Sequence, residues 1–435
     1  MKQTKLALFG RVSGSWKNAE TVAQPDADFS YIPFDIQRHR RNFRPEPTWD
    51  IRPADPAGVA YYVSTTGDDT NDGLSAAAPL RKIGTAYAKA DAAVIYVASG
   101  VYGNTNGLAN YTLDKDISII ATGGAVITGG FAEPGALTFA LDGTLTHTYK
   151  VTRSEVGAVW DVTNLDTNGD YTALTLQASA AAVEANPGSW YMDGTDVLWI
   201  RRSDDTSVTD TNCRIVYSSV GRTVTISGAI TAYCEGIQFQ GGNGNGCVQV
   251  DKTLAGSPTF YADRCSFTYS MGANGLSVTG ADAILKNCVA AKNYDDGFNY
   301  HIDTGTICHA IEIGCTGRNN GLVGNIDNGS TIHDGCIIVR LMGNYSHCVG
   351  RNIHDITAGT KSWNLGCYSH DSASTSSSSK SNWAVGTGAG DTAIMWLDCC
   401  QSSGSVTDIE ISAASTCYVR NFIGGGVYVG TPTAY

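Results

Sequence analysis

Through the second half of the chain, apolar and polar residues alternate in short runs. Examples are "TVTISG" at 223–228, "GIQFQG" at 236–241 and "GLSVTG" at 275–280. A period of two is that of a strand with one buried face, and the Gly and Asn residues between runs predict sharp corners. No run has the length or the helical period of a long helix. The pattern predicts many short strands joined by tight turns.

The runs recur. Cysteines in similar settings, "DRCSFTYS", "KNCVAAKN" and "EIGCTGRNN", place Cys265, Cys288 and Cys315 at nearly even intervals, and Cys336 follows at a similar step. "NYSHC" and "CYSHDS" set Tyr345 and Tyr368 apart by the same interval as Cys265 and Cys288. Self-similarity of this kind is the signature of a solenoid whose units bury apolar faces only against their neighbours. With no leucine lattice, three short strands per turn predict a parallel β-helix. The cysteines then read as small hydrophobes stacked at equivalent positions.

Three other regions break the rhythm. In 61–103, Leu80, Ile83, Ala86, Tyr87 and Ala90 follow helical spacing around Gly84, which predicts a helix capping the open end of the stack. In 133–205, "NPGSWYMDGTDVLWIRRSDD" reads as a hairpin turning at "DGTD", inside an inserted β subdomain; Trp190 and Trp199 are expected to pack its core rather than face a sugar. Residues 1–58 mix Trp16, Tyr31, Phe34 and Trp49 with Arg and Pro and show no sustained period. They are expected to be extended and to dock on a partner. The division is therefore 1–58, 59–132 (solenoid start with capping helix), 133–205 and 206–435 (main solenoid).

Composition narrows the function classes. Only 16% of residues are charged and the net charge is −12, so neutralising nucleic-acid phosphates is not expected. The apolar run "LALF" is too short for a signal peptide, and no segment reaches the length of a membrane span. The 13 cysteines include no C-x-x-C pair, and no calcium loop is recognisable; neither a metal nor a cofactor is expected. The serine-rich run 371–382 is read as a loop.

The densest chemistry is "KNYDDGFNYH", 292–301. Asp295 and Asp296 stand beside Tyr294, with Tyr300, His301 and Asp303 following. Turn chemistry explains one of the two carboxylates, because Asp and Asn tolerate left-handed backbone. By that reading Asn293 and Asn320, at the same offset after Cys288 and Cys315, place Asp296-Gly297 and Asn320-Gly321 at equivalent corners. His333 with Asp334 and His354 with Asp355 are separated by close to one coil and are expected to stack along one face. The candidates are Asp295, Asp296, His301, Asp303, Asp334 and Asp355 for catalysis, and Tyr294, Tyr300, His333, His354 and Trp363 for holding substrate. Paired carboxylates ~5–10 Å apart suit glycoside hydrolysis, one as acid and one as base or nucleophile. A lyase needs a base, with Arg or a metal neutralising a uronate.

The segment "YYVSTTGDDTNDGLSAAAPLRKIGTAYAKADAAVIYVASGVYG", 61–103, resembles the opening of the right-handed parallel β-helix superfamily that includes pectate lyase-like enzymes and bacteriophage tailspikes. "PGSWYMDG" is similar to a hairpin in an inserted subdomain of that superfamily. The G-H-G and R-I-K motifs of its polygalacturonase-type hydrolases and the R-x-P-x-x-R motif of its pectate lyases are absent. The unpaired thiols, the non-solenoid N-terminal segment, the lack of a secretion signal and the ending "GGGVYVGTPTAY" are most similar to a tailspike. That resemblance implies a homotrimer in the phage virion, assembled in the host cytoplasm. It also implies attachment to tail or baseplate proteins through residues 1–58, and host surface polysaccharide as ligand. Three functions follow: a tailspike that binds and degrades glycan, a non-enzymatic tail or adhesion protein, and a stand-alone polysaccharide lyase or glycoside hydrolase.

Overall fold

The computed structural model describes residues 19–46, 50–244, 246–321, 327–373, 380–388 and 390–435. Trp16, Trp49 and residues 374–379 of the serine-rich run lie outside them.

The alternating runs close into a parallel β-helix. Among the described residues, one face is a ten-stranded parallel sheet that begins at Tyr111–Leu113 and ends at Tyr428–Val429. Two further faces are built in the same way, for example by Thr259–Asp263 and Ser266–Thr268 in one coil. Leu276, Phe298, Ser330 and Ile353 are successive neighbours on the ten-stranded face. The coils are therefore unequal, and the one from Phe298 to Ser330 is longer than those on either side. Inward side chains stack as well, with Phe239 and Phe267 parallel at 5.7 Å.

Two corners recur with one residue in left-handed backbone. The first holds Arg264, Asn287, Gly314, Met342, Gly366 and Cys399 in successive coils, and the second holds Tyr269, Lys292, Asn319 and His347. The strained residue of "KNYDDG" is therefore Lys292, not either aspartate. Asn293 turns inward, where its Nδ2 donates to Asn320 Oδ1 at 3.0 Å, and both are fully buried. Asn293 and Asn320 are equivalent, but the Asp-Gly corner pairs elsewhere: the N–H of Gly297 donates to Asn328 O at 2.8 Å. A Cβ on Gly297 would sit 2.6 Å from both Gly329 O and Asn320 Nδ2, so the corner requires glycine.

The cysteine stack forms at Cys265, Cys288, Cys315, Cys367 and Cys400, which precede the register-matched residues Ser266, Val289, Thr316, Tyr368 and Gln401. Gly343 fills the missing step. Cys336 instead follows Cys308, one corner away, because both precede the paired residues Ile337 and His309. Tyr345 pairs with Ser369, and Tyr368 with Asn344. That offset by a single position sends the two tyrosines to opposite faces.

The capping helix is Ile83–Tyr87, and it buries Ile83, Ala86 and Tyr87 against the first coil. Ala90 lies beyond it and is exposed. Gly84 is explained by Tyr111, whose ring would lie 2.9 Å from an added Cβ. The hairpin pairs Ser189–Met192 with Val197–Arg201, Trp190 opposite Ile200. The inserted sheets also recruit Cys213–Tyr217, antiparallel to Val156–Leu165, so the subdomain extends past residue 205.

Residues 19–46 lie along the outside of the solenoid. Asp35–His39 and Asn42–Glu46 form a hairpin, and Phe29, Ile36 and Phe43 are buried against Ile311, Val339, Leu341, Trp363 and Trp396. Tyr31 donates its hydroxyl to Ala310 O at 2.8 Å, and Lys361 Nζ meets Asp26 at 2.9 Å.

Candidate functional site

One row of the ten-stranded face runs Thr225, Gln249, Ser277, Asn299, Thr331, His354, Ala384 and Glu410. Counting back from the same registers, the preceding corner stacks Asn274, Asp296, Asn328 and Arg351, and beside it Ala273, Asp295, Asp327 and Gly350.

The first column is a ladder. Asn274 Oδ1 accepts the Asp296 N–H at 2.9 Å, Asp296 Oδ1 accepts the Asn328 N–H at 2.7 Å, and Asn328 Oδ1 accepts the Arg351 N–H at 2.8 Å. Asp296 also takes Asn299 Nδ2 on its other oxygen at 2.7 Å and is 5% exposed. It is therefore a rung of the turn, with both oxygens already engaged. Burial pushes its carboxyl above the usual range, against hydrogen bonds from Asn299, Asn328 and Thr331.

The second column places Asp295 and Asp327, both only half-buried, on successive coils. Burial, then repulsion from Asp296 and Asp295, pushes the Asp327 carboxyl up to about 7. A carboxyl that keeps its proton near neutrality beside another carboxylate is the arrangement of an acid and its partner. The sequence carries a signal for Asp327: "DDGFNYH" at 295–301 and "DNGSTIH" at 327–333 are one repeat, set apart by the long coil. Anchoring on the shorter interval from His333 to His354 hides it.

The repeat also brings His301 and His333 together, rings stacked at 4.1 Å and 11°. His301 Nδ1 lies 3.0 Å from Asp334 Oδ2, and His333 Nε2 lies 3.4 Å from Asn299 Nδ2. Burial, reinforced by His301, lowers His333 to about 4, so it is a neutral acceptor for the amide that also holds Asp296. Asn299 is a contact that sequence reasoning did not supply.

Other candidates fall away from this group. Asp355 and Tyr300 point into the solenoid. Asp355 is fully buried, 3.1 Å from Arg340 Nη1, and Tyr300 donates to Glu312 Oε1 at 2.9 Å. Asp355 therefore neutralises an interior arginine instead of serving as a surface acid. His354 pairs with Thr331, not His333, because the coil is longer than the interval between the two histidines; it is 3% exposed. The two His-Asp pairs thus do not stack. Trp363 is shut beneath Phe29, with ring centroids 5.7 Å apart. Asp303 sits in an exposed turn near Lys252 Nζ, 3.8 Å away.

Tyr294 does face a cleft. The space, about 530 Å³, is bounded by Trp160, Leu174 and Trp190 of the inserted subdomain and by Ser270, Met271 and Tyr294 of the solenoid. Asp295 follows Tyr294 directly. Trp190 thus both packs the subdomain and lines this wall, while Trp199 stacks on Tyr191 at 5.7 Å. A larger cleft, about 810 Å³, lies between Asp69, Lys82 and Glu133 near the capped end. There Glu133 accepts the Thr105 and Asn106 N–H groups, and Asp69 those of Arg81 and Lys82. Those carboxylates shape loops, so the smaller cleft is the better chemical candidate.

No protein-family model and no curated protein matches the sequence. Among solved structures, a glycoside hydrolase superposes with TM-score 0.61 at 10% identity, over 86% of this chain and 96% of that one. The complex of XylC with xylose gives 0.51 at 12% identity, over 84% and 70%. Pectate lyase Pel9A gives 0.44 at 11%, over 88% and 79%. What the first two share with this chain is its fold, a parallel β-helix of long stacked parallel sheets.

Proposed function

We propose that the chain is a polysaccharide-cleaving enzyme, and specifically a glycoside hydrolase in which Asp327 is the acid and Asp295 the nucleophile. The observation that carries this is the Asp295–Asp327 column beside the Tyr294 cleft, with Asp327 pushed up to about 7. Adjacent coils lie one strand spacing apart, ~5 Å, a backbone spacing that lets two stacked carboxyl groups approach the ~5–5.5 Å used by retaining hydrolases. In the first step Asp327 gives its proton to the glycosidic oxygen as the bond from that oxygen to the anomeric carbon breaks, and Asp295 bonds to that carbon. In the second, Asp327 takes a proton from water, whose oxygen displaces Asp295.

A stand-alone enzyme is favoured over a tail-attached spike by the use that residues 19–46 make of their aromatics. Phe29 and Tyr31 are engaged by the chain's own solenoid. Attachment through residues 1–58, trimerisation and a place in a virion belong to the tailspike alternative, in which the same cleft would take host surface glycan.

The test is to incubate purified chain and Asp327→Asn with a panel of polysaccharides, measuring new reducing ends and, separately, unsaturated product. Reducing ends without unsaturation, lost in Asp327→Asn, are expected. Unsaturated product would replace hydrolysis with elimination, and binding without shortening would reduce the function to adhesion.

A further inference from the structure

We infer that the glycan this cleft accepts is uncharged along the stretch that occupies it; the inference rests on the hydrolase reading. An acidic glycan needs a cation to receive its carboxylates. Around this cleft the basic side chains of Lys292, Arg318 and Arg351 are already engaged by the protein's own acids. Lys292, two residues before Tyr294 in the chain, has its Nζ 2.9 Å from Asp166 Oδ2. Arg318 makes a two-pronged contact with Asp170, Nη2 to Oδ1 at 2.6 Å and Nε to Oδ2 at 3.0 Å. Arg351, at the end of the Asp296 ladder, makes the same contact with Glu410 at 2.8 and 3.1 Å.

The first two pairs cannot be given up freely. Asp166 and Asp170 belong to the inserted subdomain, whereas Lys292 and Arg318 belong to the solenoid. Between them Tyr171 stacks on Tyr269 at 4.7 Å and 5°, and its N–H donates to the Tyr269 hydroxyl at 3.0 Å. An anion that drew Lys292 or Arg318 toward itself would unfasten the wall that forms the cleft. What the proposed roles present to the ligand is Asp295 and Asp327, which repel acidic groups, together with the rings of Trp160, Trp190 and Tyr294. Rings and hydrogen-bonding carboxylates suit the apolar faces and hydroxyls of neutral sugars.

The experiment compares a matched pair: polygalacturonate and the same polymer with its carboxyl groups reduced, together with neutral xylan and glucan. Binding to the full chain is measured by calorimetry at low and high salt, and shortening by reducing ends. The expected result is binding and shortening of one or more neutral polymers, insensitive to salt, with polygalacturonate weaker by roughly tenfold or more. Shortening of polygalacturonate without unsaturated product, with affinity that falls as salt rises, would overturn the inference while leaving the hydrolase reading intact. Binding and shortening of none would end both.

Discussion

Phe29 lies over Trp363 with ring centroids 5.7 Å apart and also edge-on to Trp396 at 5.7 Å, so two tryptophans on the outside of the solenoid are roofed by the N-terminal segment. Phe29 is fully buried. Phe29→Ala should cost about 3–5 kcal/mol and shift tryptophan emission to the red. Urea unfolding followed by fluorescence checks both. Glycan shortening measured below the unfolding transition should change little.

Asp327 should govern the alkaline limb of activity. In the proposed mechanism the acid form is the working form, so activity should fall as pH rises through about 7, and Asp327→Asn should lose ~10²–10⁴-fold in kcat. Asp295→Asn removes a neighbouring negative charge, which favours ionised Asp327; its carboxyl should then titrate at lower pH. Carbon-detected NMR of the Asp carboxyls reads that shift even in an inactive variant, and an unmoved Asp327 would mean the two groups do not interact.

The same residue should cost stability. Its folded pKa lies above the unfolded value of ~3.9, so the stabilisation present below ~4 is lost as pH rises through about 7. Asp327→Asn should therefore stabilise the chain above neutrality by roughly 1–3 kcal/mol, allowing for solvent screening. His333 works on the other side. It is held down to about 4, so stability should fall as pH drops from ~6.5 through that value. Thermal melts from mildly acidic to mildly alkaline pH, with and without each side chain, separate the two.

Arg340 and Asp355 form a fully buried pair at 3.1 Å inside the solenoid. Arg340→Met leaves Asp355 without its cation and should destabilise by about 3–5 kcal/mol. Asp355→Asn should likewise show in a lowered Tm instead of a selective loss of kcat. Full folding with lost activity would return Asp355 to the chemistry.

The strands, corners, capping helix and inserted hairpin were legible because each follows a local rule, either alternation or turn chemistry. The candidate site was legible only in part. Asp295, Tyr294 and the His301–His333 neighbours lie in or beside one repeat that the chain displays openly. Asp327 was hidden because the coil from Phe298 to Ser330 is longer than its neighbours, so equal-spacing arithmetic passes over it. His354, Asp355 and Tyr300 show the other limit. The face a residue points to depends on register, and an error of one position exchanges interior for exterior. Trp363 was misread for a third reason: its cover comes from the far end of the chain.

The cysteine column has a consequence for how the chain can be made. All 13 thiols are free and buried, and burial holds Cys265, Cys315 and Cys400 far above the ordinary thiol range, so the finished stack resists oxidation. Before the coils close, the same thiols titrate near ~8.5 and are reactive, and a chance disulfide between them would lock two coils out of step. Closure and oxidation therefore compete in time. Folding under reducing conditions should therefore yield more native protein than folding under oxidising ones.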